Sequence, residues 1–230
     1  RQRQMCIRDR HLFRAFRQAL ADGRLRRVLL ESMAYQGSYK VVKDYVQPVI
    51  KQMAVGLPLL AAVSVNRRTA LLVPLVYVPL CLLSSVASRK SSCFADRFGG
   101  ESRASRWLWV VTLIVAMPIA VALWLEVMWL AAAGFVALAA LQNFWRPIVI
   151  TRVDNETDAA MGATMLSIES QAKSLGAMVL APLLGYAVDR LAASPEQPAL
   201  WVVGVAGVAI ALIGSLLPAM GPAAAEQASS

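Results

Sequence analysis

Residues 27–47 read RVLLESMAYQGSYKVVKDYVQ, a largely aliphatic run with Lys40, Lys43 and Asp44 set inside it. A helix that crosses a bilayer needs about 20 predominantly apolar residues. A charge at its centre costs about 2.5–3.5 kcal/mol, whereas each aliphatic residue returns only about 0.3–0.6 kcal/mol. Hydropathy alone therefore rejects this stretch, and whether it crosses decides the topology of the whole chain.

The distribution of Lys and Arg argues that it does. Five other segments, 70–88, 107–125, 127–146, 160–187 and 199–218, are long and apolar in a chain that is 58% hydrophobic and 16% charged. A soluble core rarely supplies so many such runs in 230 residues. Arg14, Arg17, Arg24, Arg26 and Arg27 lie at or before the start of the 27–47 run, and Arg89, Lys90, Arg97, Arg103 and Arg106 follow the 70–88 run. Both clusters belong on the cytoplasmic side, so an even number of crossings separates them. Met53 to Val65 is too short for the second crossing and holds Gly56 and Pro58, which suits an interfacial or re-entrant piece. The 27–47 run therefore crosses.

The expected fold is an all-α membrane protein with six transmembrane helices, at about 27–47, 70–88, 107–125, 127–146, 160–187 and 199–218. Both ends of the bundle are cytoplasmic, and the region around residue 126, without Lys or Arg, lies outside. Lys51, Arg67 and Arg68 also fall outside, against the charge rule. The net charge of +9 is assigned to cytoplasmic loops rather than to nucleic-acid binding. Residues 11–26 form a basic cytoplasmic segment, 27–220 the bundle and 221–230 a disordered cytoplasmic tail. Residues 1–10, RQRQMCIRDR, resemble the translated end of a transposase-based sequencing adaptor. They are read as an assembly scar, with the reading frame cut upstream, the alternative being a natural basic leader.

Residue chemistry narrows the function classes. Cys6, Cys81 and Cys93 form no disulfide framework, and the single histidine, His11, lies outside every span. No nucleophile clusters with a base, so an enzyme is not expected, nor a cofactor or metal.

Polar residues instead gather on particular spans. Gln36, Lys40, Lys43 and Gln47 recur at helical spacing on one face of the first span, with Tyr35 and Tyr39 beside them. Such a stripe survives in a membrane only against protein or water. Gln142, Asn143 and Trp145, with Arg146, end the fourth span and share that polar space. Two roles fit Lys40, Lys43 and Asp44: a net positive charge for an anionic solute, or a lysine–aspartate pair that only shapes the cavity. Tyr35, Tyr39 and Trp145 either contact a solute or anchor the interface. Glu169 and Lys173 on the fifth span stand one turn apart, either as an ion pair that makes both tolerable or as ion-coupling groups. The third and sixth spans carry no ionisable residue and are expected to face lipid.

Between the second and third spans the chain reads Ser92-Cys93-Phe94-Ala95-Asp96-Arg97-Phe98-Gly99-Gly100, which resembles the G-x-L-A-D-R-x-G-R loop of the major facilitator superfamily. Ser92 replaces the leading glycine, and Gly100-Glu101 replaces the usual basic pair. Ala163 to Ser167, then Pro182-Leu183-Leu184-Gly185 and Asp189-Arg190, resemble the eleventh helix of bacterial members. The resemblance covers residues 20–220 and implies the C-terminal six-helix half of a twelve-helix transporter. It implies that the first and fourth spans line a central cavity, the second and fifth meet the other half, and the third and sixth face lipid. It gives Asp96, Arg97 and Gly99 a gating role, with Asp96 capping a neighbouring helix and Gly99 permitting a tight turn.

The expected function is secondary active transport of a small solute by alternating access, in a bacterial inner membrane, with proton coupling implied by the family. The partners are the missing N-terminal half, the bilayer, the solute and protons. The alternative is a self-standing six-helix scaffold or a half-transporter that homodimerises.

Overall fold

The computed structural model describes residues 17, 21–56, 64–157, 161–192 and 198–216. Residues 1–10, expected to be an assembly scar, His11, residues 221–230, expected to be a disordered tail, and most of the Met53–Val65 connection lie outside the described residues.

The described residues are helical throughout, without a strand: α1 (Gly23–Val42), α2 (Val46–Val55), α3 (Val65–Arg97), α4 (Glu101–Trp124), α5 (Met128–Asn155), α6 (Gly162–Arg190) and α7 (Trp201–Leu216). α1 starts where the Asp22 carboxylate accepts from the Arg24 and Leu25 amides, at 2.8 and 3.4 Å, closing two orphan donors. A single 3₁₀ turn, Lys43–Tyr45, joins it to α2. Pro48 explains the turn, because it has no N–H to give the Asp44 carbonyl and its ring crowds that group. The expected end at Gln47 is therefore not an end: the rod runs on to Val55. α5 likewise continues past Pro147 to Asn155, nine residues beyond the expected boundary at Arg146.

α5 is the central helix. It packs parallel to α3 and antiparallel to α4, while α1 packs parallel to α6 and α4 antiparallel to α7. Two interfaces have backbone-level contact. A Cβ on Gly204 of α7 would stand 2.5 Å from the Ala120 Cα of α4, and one on Gly176 of α6 would stand 2.8 Å from the Met33 carbonyl oxygen of α1. Gly99 (φ 75°) ends α3 in a Schellman turn, with Gly100 N–H donating to Ala95 O and Gly99 N–H to Asp96 O. Glu126 (φ 58°) does the same for α4, Val127 N–H donating to Ala122 O.

Alternating helix directions collect Arg24, Arg26, Arg27, Arg89, Lys90, Arg97, Arg103, Arg106, Arg146 and Arg152 toward one end of the bundle. At the other end Arg68 donates to the Ala54 carbonyl at 3.4 Å, near the end of α2.

The apolar interior is divided. One cluster joins Val49, Ile50, Phe135, Leu184 and Val203 near the far end. A second joins Leu25, Leu108, Trp109, Trp145 and Met165 near the basic end. Gln36, Gln142 and Glu169 each fall between the two clusters along their own helices.

The outer surface is apolar. Leu75, Leu82, Ile114, Met178, Leu183 and Ile213 are each more than half exposed. α3, α4 and α5 are long and apolar enough to cross a membrane. α1 and α6 carry charges, and α7 is described over 16 residues. α3 buries five of its 33 residues and α6 five of 29, against eight of 24 for α4 and five of 16 for α7. The least covered helices are thus α3 and α6, rather than the two without ionisable residues inside the expected spans.

Candidate functional site

α1 is the polar helix, and its residues divide among three neighbours. Ser32 and Gln36, one turn apart, face α6. One oxygen of the Glu169 carboxylate accepts from the Ser32 hydroxyl and from Gln36 Nε2, the latter at 2.8 Å. Gln36 Nε2 also reaches Ser32 Oγ at 2.8 Å. The second oxygen faces Lys173 Nζ at 3.6 Å. Ser32 is fully buried and Glu169 is 6% exposed. A buried carboxylate needs this set of donors plus a countercharge, since an unpaired one costs far more than its hydrogen bonds return. The approach depends on Gly37 and Gly176. A Cβ on Gly37 would stand 3.1 Å from the Lys173 carbonyl oxygen, so larger residues would push Ser32 out of reach. Gln142 Nε2 of α5 extends the network to Gln36 Oε1 at 3.4 Å.

Glu31, the next residue along, faces the other way. Arg27 Nε donates to it at 3.0 Å and Arg152 Nη1 at 2.7 Å, and the same Arg152 nitrogen reaches Ser105 Oγ of α4 at 3.0 Å. One carboxylate thus ties α1, α4 and α5 together near the basic end.

Tyr35 and Trp145 pack against each other. Their rings stack at 3.9 Å, Trp109 meets both edge-on, and Tyr35 Oη shares a 2.8 Å hydrogen bond with Thr112 Oγ1. Both are buried, at 5% and 0% exposure, as part of the apolar cluster near the basic end.

Tyr39, Lys43, Asp44 and Gln47 remain together around an open recess of about 410 Å³, closed from the other side by Tyr77 and Leu80 of α3 and Phe135 of α5. Asp44 forms no ion pair with either lysine among the described residues. Lys40 is exposed just outside the recess, and Asn143 turns away, donating to its own helix at Ala139 O, 2.7 Å. The polar stripe of α1 is thus split between a buried carboxylate network and an open recess. Asp96, Arg97 and Gly99 are exposed in the α3–α4 turn, and neither the Asp96 nor the Arg97 side chain pairs with another described residue. No group of three metal-ligating side chains is found among the described residues.

Ser32, Arg152 and Ser105 are the members that sequence patterning does not single out. The Ser32–Gln36 spacing of one turn is the available signal for the first. Arg152 sits beyond Pro147, where a helix is expected to have stopped.

No known protein family, curated protein or solved structure matches the chain.

Proposed function

We propose that this chain spans a membrane as the C-terminal six-helix half of a major facilitator-type secondary transporter, moving a small solute by alternating access. The observation that carries it is inverted polarity. Leucine, isoleucine and methionine side chains of α3, α4, α6 and α7 cover the outside, while Glu169, Ser32, Gln36 and Gln142 are gathered within. In water that arrangement is unfavourable on both counts, and in lipid it is favourable on both. Collection of the arginines toward one end supports a cytoplasmic placement of that end in a bacterial inner membrane.

The recess bounded by Lys43, Asp44 and Gln47 is the solute-binding half-site, completed by a second six-helix bundle seated on the poorly covered faces of α3 and α6. The unpaired Asp96 carboxylate is the group that caps a helix of that bundle. Glu169 is the proton-coupling carboxylate. Protonation turns its acceptor oxygen into a donor and releases Lys173, which is 25% exposed.

The test is reconstitution of the complete protein into vesicles with an internal pH dye and a panel of small organic anions. Solute-driven proton flux that disappears in Glu169→Gln is expected. A membrane-inserted protein giving no solute-dependent flux overturns transport. A stable dimer of the chain by itself would favour the homodimerising half-transporter instead, because the same faces of α3 and α6 would then meet a second copy.

A further inference from the structure

Lys43 and Asp44 are consecutive residues of the 3₁₀ turn, and both are exposed on the same recess. Their opposite charges do not meet. Neither side chain has an ion pair or a hydrogen bond with any described residue. Glu31 and Glu169, by contrast, each face a cation. On the membrane-spanning reading the open pair lies at depth. Tyr77 and Leu80, which close the recess, belong to the apolar run 70–88, and Phe135 belongs to the run 127–146. A charge without a countercharge is costly there. Gln47, one helical turn beyond Lys43, adds an amide that both donates and accepts. The rest of the wall is mainly aromatic or aliphatic, from Tyr39, Tyr77, Leu80 and Phe135. A recess of about 410 Å³ falls at the small end of the range for small-ligand clefts, about 300–1,000 Å³.

We propose that the recess selects a small zwitterion with an apolar body, the chemistry of a large apolar α-amino acid. Its carboxylate meets the Lys43 ammonium, its own ammonium meets the Asp44 carboxylate, and its body lies against Tyr77, Leu80 and Phe135. The occupant follows from the lining. A monoanion compensates Lys43 and leaves Asp44 without a countercharge, and a monocation does the reverse. A neutral polyol hydrogen-bonds both groups yet compensates neither charge. A zwitterion without an apolar body leaves the aromatic wall uncovered. Two charge-assisted contacts of opposite sign also fix which way round the solute lies. Organic anions share the carboxylate that meets Lys43, and the ammonium for Asp44 is the added requirement.

This inference rests on the transport reading, and the experiment separates the two. The complete protein is purified in detergent, and binding of tritiated L-phenylalanine is measured by equilibrium dialysis. The competitors are 3-phenylpropionate, which lacks the ammonium, phenethylamine, which lacks the carboxylate, and glycine, which lacks the apolar body. Saturable phenylalanine binding is expected, with each competitor weaker by about tenfold or more. Asp44→Asn should abolish the preference over 3-phenylpropionate, and Lys43→Gln the preference over phenethylamine. Both positions are exposed, so neither change removes a core contact. Absence of saturable phenylalanine binding overturns the proposal, as does any of the three competitors binding as tightly as phenylalanine. Preferences unchanged in both variants also overturn it, by placing the bound amino acid elsewhere. Should a variant fail to fold, the competition series on the unaltered protein still decides. The same protein is then reconstituted into vesicles. Phenylalanine that binds but is not taken up keeps the zwitterion site and fails transport. Flux driven by an organic anion, without phenylalanine binding, keeps transport and removes the zwitterion.

Discussion

Gly176 of α6 lies directly on the Met33 backbone of α1, so close that a single added methyl group would stand 2.8 Å from the Met33 carbonyl oxygen. That contact sets the distance between the two helices, and the Glu169–Ser32 hydrogen bond exists because of it. Gly176→Val is expected to lower stability by about 1–3 kcal/mol, the usual range for overpacking. Thermal unfolding in detergent measures it, and an unchanged melting temperature would mean that α1 and α6 are not held by this contact.

Removing Lys173 leaves the buried Glu169 carboxylate without its countercharge, and removing Glu169 leaves the partly exposed Lys173 unpaired. Glu169→Gln and Lys173→Met are each expected to destabilise by about 1 kcal/mol or more, the double variant by less than the sum. Lys173 is partly exposed, which keeps the coupling well below that of a fully buried pair. A double-mutant cycle by denaturant unfolding reads the coupling directly. Strict additivity would remove any interaction between the two.

Arg152 is asked to reach Glu31 and Ser105 with one nitrogen. Lysine keeps the charge but lacks the planar fork, so Arg152→Lys should recover only part of the loss caused by Arg152→Ala. Comparison of the two melting temperatures decides it. Equal losses would place the effect in guanidinium geometry, and full recovery by lysine would place it in charge alone.

The two Schellman turns make opposite predictions. Gly99→Ala forces a Cβ into the left-handed region and should cost about 1–2 kcal/mol, whereas Glu126→Gly relieves that same strain and should stabilise by up to about 1 kcal/mol. Asp96→Asn leaves the turn's backbone bonds intact, so expression should hold; under the proposed transport function solute uptake should fall, and unchanged uptake removes the capping role of Asp96.

Thiol labelling maps the recess. With Cys6, Cys81 and Cys93 replaced by serine, a cysteine at Gln47 or Lys43 should react with a hydrophilic maleimide, and one at Lys40 as well. A cysteine at Trp145 should stay inert. Protection of Gln47→Cys would mean that the recess is closed.

Helical class, helix order and the polar character of residues 27–47 are legible in the sequence because period and charge placement are local properties. Helix ends are less so: Pro48 and Pro147 look like stops, yet neighbouring helices hold the chain helical on both sides of each. The site is legible in part. Spacing puts Gln36, Lys43 and Gln47 on one face, but only tertiary packing turns Gln36 inward to Glu169 and leaves Lys43 and Gln47 in the recess. Tyr35 and Trp145 show the reverse, since aromatic residues beside a polar stripe carry no local sign that they will stack on each other.

The 3₁₀ turn at Lys43–Tyr45 follows the glycine-packed half of the rod and itself lines the recess through Lys43 and Asp44. Pro48 withholds the amide that would stiffen this point, so bending there costs less than in an unbroken helix. The rod is therefore a knuckle rather than a strut. One arm of it can swing while the other stays clasped to α6 at Gly37 and Gly176.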